Sequence, residues 1–193
     1  MNSFSKKEYL SLKMPTEEVA VSDQKRILLA LEALGYPHVT MPLRVIRKLY
    51  PLCRDANFDI TVSLVQRETD WVITDVEPGD RRQHHYGLVK VEAGDQTGQH
   101  YGLAVDYGSP TIVMQLVDLN SGNVIGEEKV VNGQVRYGTD ILTRITYSLE
   151  DPSHAQDLQK ATVETFRQLL EALTDATGIN AAKCPVMIVS GNT

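Results

Sequence analysis

The chain has 193 residues, of which 42% are hydrophobic and 23% charged, with 13 glycines and 8 prolines. This composition is typical of a soluble globular protein and excludes a disordered chain, a collagen-like repeat and a disulfide scaffold. No run reaches the ~18 apolar residues that a membrane span needs, and no signal peptide is visible. The net charge of −6 and the lack of a basic patch argue against a nucleic-acid partner. Cys53 and Cys184 stand far apart, which predicts two reduced thiols in a cytoplasmic protein.

The first 80 residues predict a small two-layer α/β domain. Ser22 and Asp23 are N-cap residues in front of an apolar stripe with helical spacing, and Gly35 stands where a C-cap glycine belongs. A second helix begins near Thr40, and Pro51 is expected to kink or end it because proline lacks the helical N–H. Alternating apolar side chains predict strands over Lys6–Met14, Phe58–Val65 and Trp71–Val76.

A short tandem duplication follows this domain. The sequence Val76–Asp80 returns in similar form as Val91–Asp95, and His85–Leu88 returns at the same offset as His100–Leu103. Two copies are too few for a solenoid, so we predict that residues 81–100 form a connector or β-ribbon between two domains. Either copy could pair with the same neighbouring strand, which leaves the register open.

Residues 101–193 predict a second domain. Three β-rich segments joined by tight turns indicate an antiparallel meander. These strands start at Tyr101, Thr111 and Asn123. Two helices follow, from Thr139 and from Ser153, and the apolar run Pro185–Val189 predicts a strand buried on both faces of a mixed sheet. The predicted inner face of the first helix consists of Ile141, Leu142, Ile145 and Leu149. This order of elements is that of the first half of a ribonuclease-H-like, actin-like ATPase lobe.

The strongest candidate site lies at Val105–Thr111, between the first two of these strands. The first strand ends in the acid Asp106, and the chain turns through Gly108 and enters the next strand through the hydroxyl residues Ser109 and Thr111. Backbone N–H groups and both hydroxyls are placed to bind a nucleotide phosphate in one concavity. Asp106 is placed to hold hydrated Mg²⁺, which prefers a carboxylate, waters and phosphate oxygens. An ordinary β-turn is the alternative interpretation.

Several segments resemble the reductive activators of corrinoid-dependent proteins. Tyr101–Gly108 is similar to that family's phosphate hairpin, Asn132–Ile145 to the segment that follows it, and Val189–Thr193 to the start of its next glycine-rich turn. The amino-terminal module, including Asp75–Asp80, is similar to the family's middle domain. The resemblance covers nearly the whole chain, and Asn132–Ile145 is its most specific part.

The resemblance implies that the chain is a fragment of a larger iron–sulfur protein. Residues 1–80 would be its middle α/β domain, 81–100 the duplicated connector and 101–193 a truncated actin-like ATPase lobe. Family members couple ATP hydrolysis to the reduction of a Co(II) corrinoid to Co(I) on a partner methyl-transfer protein. Two cysteines cannot hold the family's [2Fe–2S] cluster, which would belong to the parent protein only. The parent is expected to be an ATP-hydrolysing redox activator, and this chain alone to be inactive.

Pro110 departs from the family's hairpin, which is typically rich in threonine after Asp-Xaa-Gly. Proline has no N–H, so the turn loses one donor for a phosphate. A hydrogen bond to a charged group contributes about 1.5–3 kcal/mol, which corresponds to a roughly ten- to hundredfold loss of affinity. We therefore expect weak or no binding of ATP and Mg²⁺ by this chain.

Two further groups of polar residues are weaker candidates. His84, His85 and His100 flank the duplication, but their spacing matches no metal motif, so turn formation explains them better than zinc binding. Asp140 and Arg144 form an i, i+4 pair on one predicted helical turn, which favours a solvated ion pair. The alternative places Asp140 or Gln134 near the attacking water, as catalytic residues beside Asp106.

Three functions stay open at this point. The first is a fragment of an ATP-dependent activator that acts on a corrinoid methyl-transfer protein. The second is a non-catalytic module for homodimerisation or for docking of that partner, favoured by the terminal strand and the exposed lobe surface. The third is a different actin-like enzyme, such as a small-molecule kinase, which needs a second lobe and a substrate-site acid.

Overall fold

The computed structural model describes residues 4–16, 20–67 and 85–191, and the chain divides into two units, Met1–His100 and Tyr101–Thr193. Each unit contains a four-stranded sheet and two α-helices. The mixed α/β class expected from the sequence is thereby confirmed. No described helix combines the length and the apolar character that a bilayer crossing requires. The predicted strand Trp71–Val76, the first copy Val76–Asp80 and His84 lie outside the described residues.

The first unit builds its sheet from distant segments. Its strands are β1 (Ser5–Ser11), β2 (Val39–Thr40), β3 (Asp59–Arg67) and β4 (His85–Ala93), and its helices are α1 (Asp23–Ala33) and α2 (Leu43–Asp55). The strand order is β1-β3-β4-β2, with β1 and β4 antiparallel to β3 and β2 parallel to β4. Alternate side chains of β3 pack against the apolar stripes of both helices. This core includes Ile27, Leu31, Val45, Leu49, Ile60, Val62, Leu64 and Leu88.

The helix boundaries of this unit follow local signals. The Ser22 hydroxyl accepts a hydrogen bond from the Lys25 N–H at 3.2 Å, and Gly35 follows α1 with a φ of +92°, as the sequence predicts. Pro51 does not end α2, which continues to Asp55. Pro51 lies on the exposed face of the helix, where water can solvate the backbone carbonyl that loses its N–H partner.

The duplicated segment contributes strands to two different sheets. His85–Leu88 opens β4, which pairs with β3 along most of its length, so the stretch predicted as a connector holds a central strand of the first sheet. In the second copy, His100 closes the first unit and Tyr101–Leu103 begin the first strand of the second. Strand β4 continues beyond Leu88 to Ala93, so the copy at His85–Leu88 lies within a strand and not in a turn.

The second unit is a meander completed by a parallel strand. Its elements are β5 (Tyr101–Tyr107), β6 (Thr111–Asp118), β7 (Val124–Val131), α3 (Ile141–Glu150), α4 (His154–Thr177) and β8 (Met187–Gly191), with a 3₁₀ turn at Gly133–Tyr137. The strand order is β7-β6-β5-β8, and only β8 runs parallel to its neighbour among these described strands. Asp106 pairs with Val113 and Ala104 with Ile188, so the predicted segments share one sheet. Helix α4 packs on this sheet through Leu169 and Leu173.

Two predictions about this unit are wrong. The residues predicted as the inner face of α3 are exposed, with Leu142 at 75% and Leu149 at 80%, and the buried residue of that helix is Arg144. Strand β8 is not buried on both faces: it is one of the two edge strands of the described sheet, and all of its residues are exposed, Ile188 at 57%. In both cases the apolar pattern identified the element correctly but not its surroundings.

Candidate functional site

The candidate site begins at the turn between β5 and β6. The register pairs Tyr107 with Ile112, so the chain reverses through Gly108, Ser109 and Pro110. A Cβ atom on Gly108 would lie 2.5 Å from the backbone carbonyl oxygen of Thr111, a contact that a real side chain cannot make. Glycine is therefore required here because two backbone segments approach each other closely.

A cavity of about 450 Å³ lies beside this turn. The parallel register of β5 and β8 places Asp106 opposite Ser190 and Tyr107 opposite Gly191, so the carboxyl ends of two parallel strands meet there. Such ends are where open α/β sheets bind ligands. The cavity is lined by Asp106, Tyr107, Gly108, Ser109, Pro110, Ser190 and Gly191. The structure thus brings together three of the predicted site residues, Asp106, Gly108 and Ser109.

Ser190 and Gly191 join the site although local patterns gave no reason to select them. They follow an apolar strand in the sequence, and only the parallel pairing of β8 with β5 brings them to Asp106. Thr111, in contrast, belongs to β6 and does not line this cavity. The signal that points to Ser190 and Gly191 in the sequence is the resemblance of Val189–Thr193 to a glycine-rich turn.

Asp106 also borders the sheet face opposite α4. A second cavity of about 450 Å³ lies on that face and is lined by Ala104, Val105, Asp106, Val113, Gln115, Glu127, Ile188 and Ser190. Within it, the Gln115 side-chain amide donates to the Glu127 carboxylate at 2.6 Å. The Asp106 side chain is exposed and therefore accessible from both cavities.

The predicted catalytic residue Gln134 lies behind the turn. Its side-chain amide donates to the Leu158 carbonyl at 3.1 Å and to the Thr162 hydroxyl at 3.0 Å. It lines a different cavity, of about 240 Å³, together with Tyr107, Ser109, Ile141, Arg144, Ile145, Ser148 and Leu158. These contacts attach the 3₁₀ turn to α4, and they do not bring Gln134 to the Asp106 cavity.

The predicted catalytic residue Asp140 is the N-cap of α3. Its carboxylate accepts from the Thr143 N–H at 2.9 Å and from the Thr143 hydroxyl at 2.7 Å. These hydrogen bonds, the backbone one first, hold the pKa of Asp140 below its ordinary value. The Arg144 guanidinium turns to other acceptors, at the Gly138 and Ser109 carbonyls, so the proposed solvated pair with Asp140 does not describe it.

The described residues do not fit an iron–sulfur cluster. Cys53 is buried in the first unit and Cys184 half-buried in the second, and no group of three or more His, Cys, Asp or Glu side chains that could hold a metal occurs in the described part of the chain. His85 stacks on His38 with 5.0 Å between ring centroids, whereas the His100 ring contacts the Ser5 hydroxyl at 3.0 Å. Asp106, whose side chain is exposed and which lines the cavity together with Ser109 and Ser190, is the residue there that would hold a hydrated Mg²⁺.

Comparison with known proteins agrees with this division of the chain. Residues 1–83 match the family model described as the RACo linker region, and residues 101–193 match the RACo middle region, which leaves only residues 84–100 unmatched. The amino-terminal unit, predicted above to be the family's middle domain, matches the linker region instead, and residues 101–193, predicted to be a truncated ATPase-like lobe, match the middle region.

Two individual proteins are similar to this chain. The corrinoid activation enzyme RamQ of Eubacterium limosum is 27% identical over 90 residues, which are 47% of this chain and 15% of RamQ. A solved structure described as a reductive activator for corrinoid, iron-sulfur protein is 27% identical, with a TM-score of 0.73 over 99% of this chain and 28% of the other. The matched parts of this chain therefore span less than a third of the length of either relative. Both family models, which together cover residues 1–83 and 101–193, agree with the structural match, so the resemblance is confirmed and the chain belongs to the family of reductive activators of corrinoid-dependent proteins.

Proposed function

We propose that this chain is part of an ATP-dependent activator that returns an inactive Co(II) corrinoid to Co(I) on a methyl-transfer protein. Family membership supports a role in corrinoid activation, since the similar proteins are named for that activity. Co(II) gains one electron in this step. The electron would come from an iron–sulfur cluster in another part of the parent protein, because the two cysteines of this chain cannot hold one. Co(I) has a very low potential, so ATP hydrolysis would supply the free energy.

The arrangement of Asp106, the β5–β6 turn and the end of β8 carries this proposal. A carboxylate, two hydroxyl residues and the backbone of a tight turn surround one cavity of about 450 Å³. Backbone amides and hydroxyls bind phosphate oxygens, and the carboxylate would hold hydrated Mg²⁺ through water. In this proposal residues 101–193 form half of a ribonuclease-H-like, actin-like lobe, which the strand order β7-β6-β5-β8 supports.

Reduction of a corrinoid protein by the full-length protein tests the proposal. Formation of Co(I) is followed by its absorption spectrum, with an electron donor present and with or without Mg–ATP. Asp106→Asn should lower the ATP-dependent rate by about a hundredfold, because the amide cannot replace the charge that orients Mg²⁺. Asp175→Asn, on the exposed side of α4, is the matched control and should retain the wild-type rate. Co(I) formation that needs no ATP, or that survives Asp106→Asn, would contradict the proposal.

A second candidate is a non-catalytic module that docks the corrinoid partner or a second copy. The exposed apolar residues of α3 favour it, above all Leu142 and Leu149. Light scattering separates the two functions, because a docking module of this kind should self-associate or bind the corrinoid protein without nucleotide. A strict monomer that binds its partner only with Mg–ATP would favour the activator.

A further inference from the structure

The Gly108, Ser109 and Pro110 carbonyl groups of the β5–β6 turn all accept hydrogen bonds from two residues, Asn132 and Arg144. The Asn132 side-chain amide donates to the Gly108 carbonyl at 3.0 Å, and the Asn132 backbone N–H donates to the Pro110 carbonyl at 3.0 Å. Between them, the Arg144 guanidinium donates to the Ser109 carbonyl at 2.7 Å. Two residues that lie far from the turn in the sequence therefore fix the orientation of each of its peptide groups.

This anchoring determines where the amide N–H groups of the turn point. In a trans peptide the C=O and the following N–H point in opposite directions, and the described residues contain no cis peptide. The Gly108 and Pro110 carbonyls face Asn132, so the N–H groups of Ser109 and Thr111 that follow them are directed away from that residue. A phosphate on that side would meet donors rather than carbonyl lone pairs, which would repel it. The Ser109 carbonyl held by Arg144 is followed by Pro110, which has no N–H, so Arg144 fixes the middle of the turn rather than a donor.

Asn132 and Arg144 are themselves held rigidly. Asn132 is fully buried, and its side-chain oxygen accepts from the Gln134 N–H at 3.0 Å. Arg144 is 6% exposed and also donates to the Gly138 carbonyl at 2.8 Å and to the Gln134 side-chain oxygen at 3.4 Å. The guanidinium has five donors in a planar fork, so it holds two backbone carbonyls and the Gln134 side chain at once in a fixed geometry that a lysine ammonium does not provide.

Arg144 lies on the far side of the turn from the proposed phosphate site. It lines the cavity of about 240 Å³ behind the turn, whereas the cavity with Asp106 lies in front. Tyr107 and Ser109 border both cavities. Arg144 is therefore placed to act through Ser109 and not by direct contact with a ligand.

We propose that Asn132 is a positioning residue that turns the Ser109 and Thr111 amides of the β5–β6 hairpin toward a nucleotide phosphate, and that Arg144 is a second positioning residue that fixes the Ser109 carbonyl between them. This inference rests on the proposed function, since it assigns to the hairpin the phosphate contact made there. It gives a physical role to two residues of Asn132–Ile145, the segment with the most specific family resemblance. It also explains why Arg144 is buried, although the apolar pattern predicts that its face of α3 is exposed to solvent.

The test uses the full-length protein with Mg–ATP as the probe. Arg144→Lys keeps the positive charge but loses the fork, and calorimetry should show Mg–ATP affinity reduced about tenfold or more. Hydrogen exchange of the amides in residues 107–111 should become faster even without nucleotide, and the protection by Mg–ATP should disappear. A purely structural role would change the unfolding midpoint without this local signature.

Arg136→Lys is the matched control for this experiment. Arg136 lies in the same segment, is half-exposed and pairs with Glu164 at 3.6 Å, so its replacement should leave affinity and exchange unchanged. If Arg144→Lys does not fold, Asn132→Asp replaces it, because the aspartate keeps the oxygen that accepts from Gln134 and loses the donor to Gly108. A folded variant that binds Mg–ATP like Arg136→Lys would overturn the inference alone. A wild-type protein that does not bind Mg–ATP would overturn the proposed function as well.

Discussion

Pro110 lies in a turn whose carbonyls are hydrogen-bonded by Asn132 and Arg144. Its ring replaces an N–H between those of Ser109 and Thr111, so the hairpin offers one donor fewer than its length allows. The family resemblance alone suggested this loss, and the hydrogen bonds from Asn132 and Arg144 show which side of the turn it affects.

Pro110→Thr should therefore raise the affinity of the full-length protein for Mg–ATP by about tenfold, since one hydrogen bond to a charged group contributes about 1.5–3 kcal/mol. Calorimetry measures the change. Pro37→Thr, at an exposed proline of the first unit, should have no effect. Equal affinities for Pro110→Thr and wild type would show that the missing N–H does not face the phosphate.

Asp140 makes the start of α3 sensitive to acid. Its pKa in the folded protein lies below its unfolded value, so the carboxylate stabilises the helix above the unfolded pKa, and this stability is lost as the pH falls through the folded pKa. Asp140→Asn should retain the cap but remove this dependence, as measured by urea unfolding between about pH 2 and pH 5. Thr143→Val keeps the backbone hydrogen bond to Asp140 and loses the hydroxyl one, so it should remove only part of the acid dependence. Identical acid dependence in Asp140→Asn and wild type would contradict this assignment.

Helices α1 and α3 show which parts of an element its sequence determines. The caps of α1 are local, so Ser22 and Gly35 predict its limits well. The buried face of α3 depends instead on Arg144, one of whose acceptors, Ser109, is 35 residues away along the chain. The local apolar run Pro185–Val189 likewise predicts strand β8, whereas the exposure of that strand depends on its position at the edge of the sheet. Periodicity therefore predicts the elements, whereas long-range contacts decide their environment.

Two leucine substitutions test this at the scale of the helix. Leu169→Ala on α4 should lower the free energy of unfolding by about 2–5 kcal/mol, because Leu169 is 2% exposed in the core. Leu149→Ala on α3 should change it by less than about 0.5 kcal/mol, because that side chain is 80% exposed. Urea unfolding measures both. A large cost at Leu149 would mean that the apolar face of α3 is covered in solution.

The complete candidate site could not be predicted from the sequence alone, because its residues come together only through strand pairing in the sheet. Asp106, Gly108 and Ser109 are close in the sequence and were predicted together, whereas Ser190 comes from β8 through parallel pairing. The two units likewise depend on strand pairing over long distances in the sequence. In each of them, a sheet joins strands that helices separate along the chain.

The two copies of His-Tyr-Gly-Leu provide a test at the scale of the whole molecule. Leu88 and Leu103 are both buried, in the cores of the first and second units respectively. Leu88→Ala should destabilise β3 and β4, and Leu103→Ala should destabilise β5 and β6, each by about 2–5 kcal/mol. Hydrogen exchange resolves the two regions, and each variant is the control for the other. Equal loss of protection in both sheets after either change would show that the units unfold together.

The repetition has a further consequence for how the chain acquires its fold. On the ribosome the earlier copy emerges first and meets β3 before its competitor exists, so synthesis from the amino terminus selects the native partner. A chain diluted from denaturant has no such priority, because both copies compete for the same partner at once. The order of translation thus resolves an ambiguity that the amino-acid sequence itself contains.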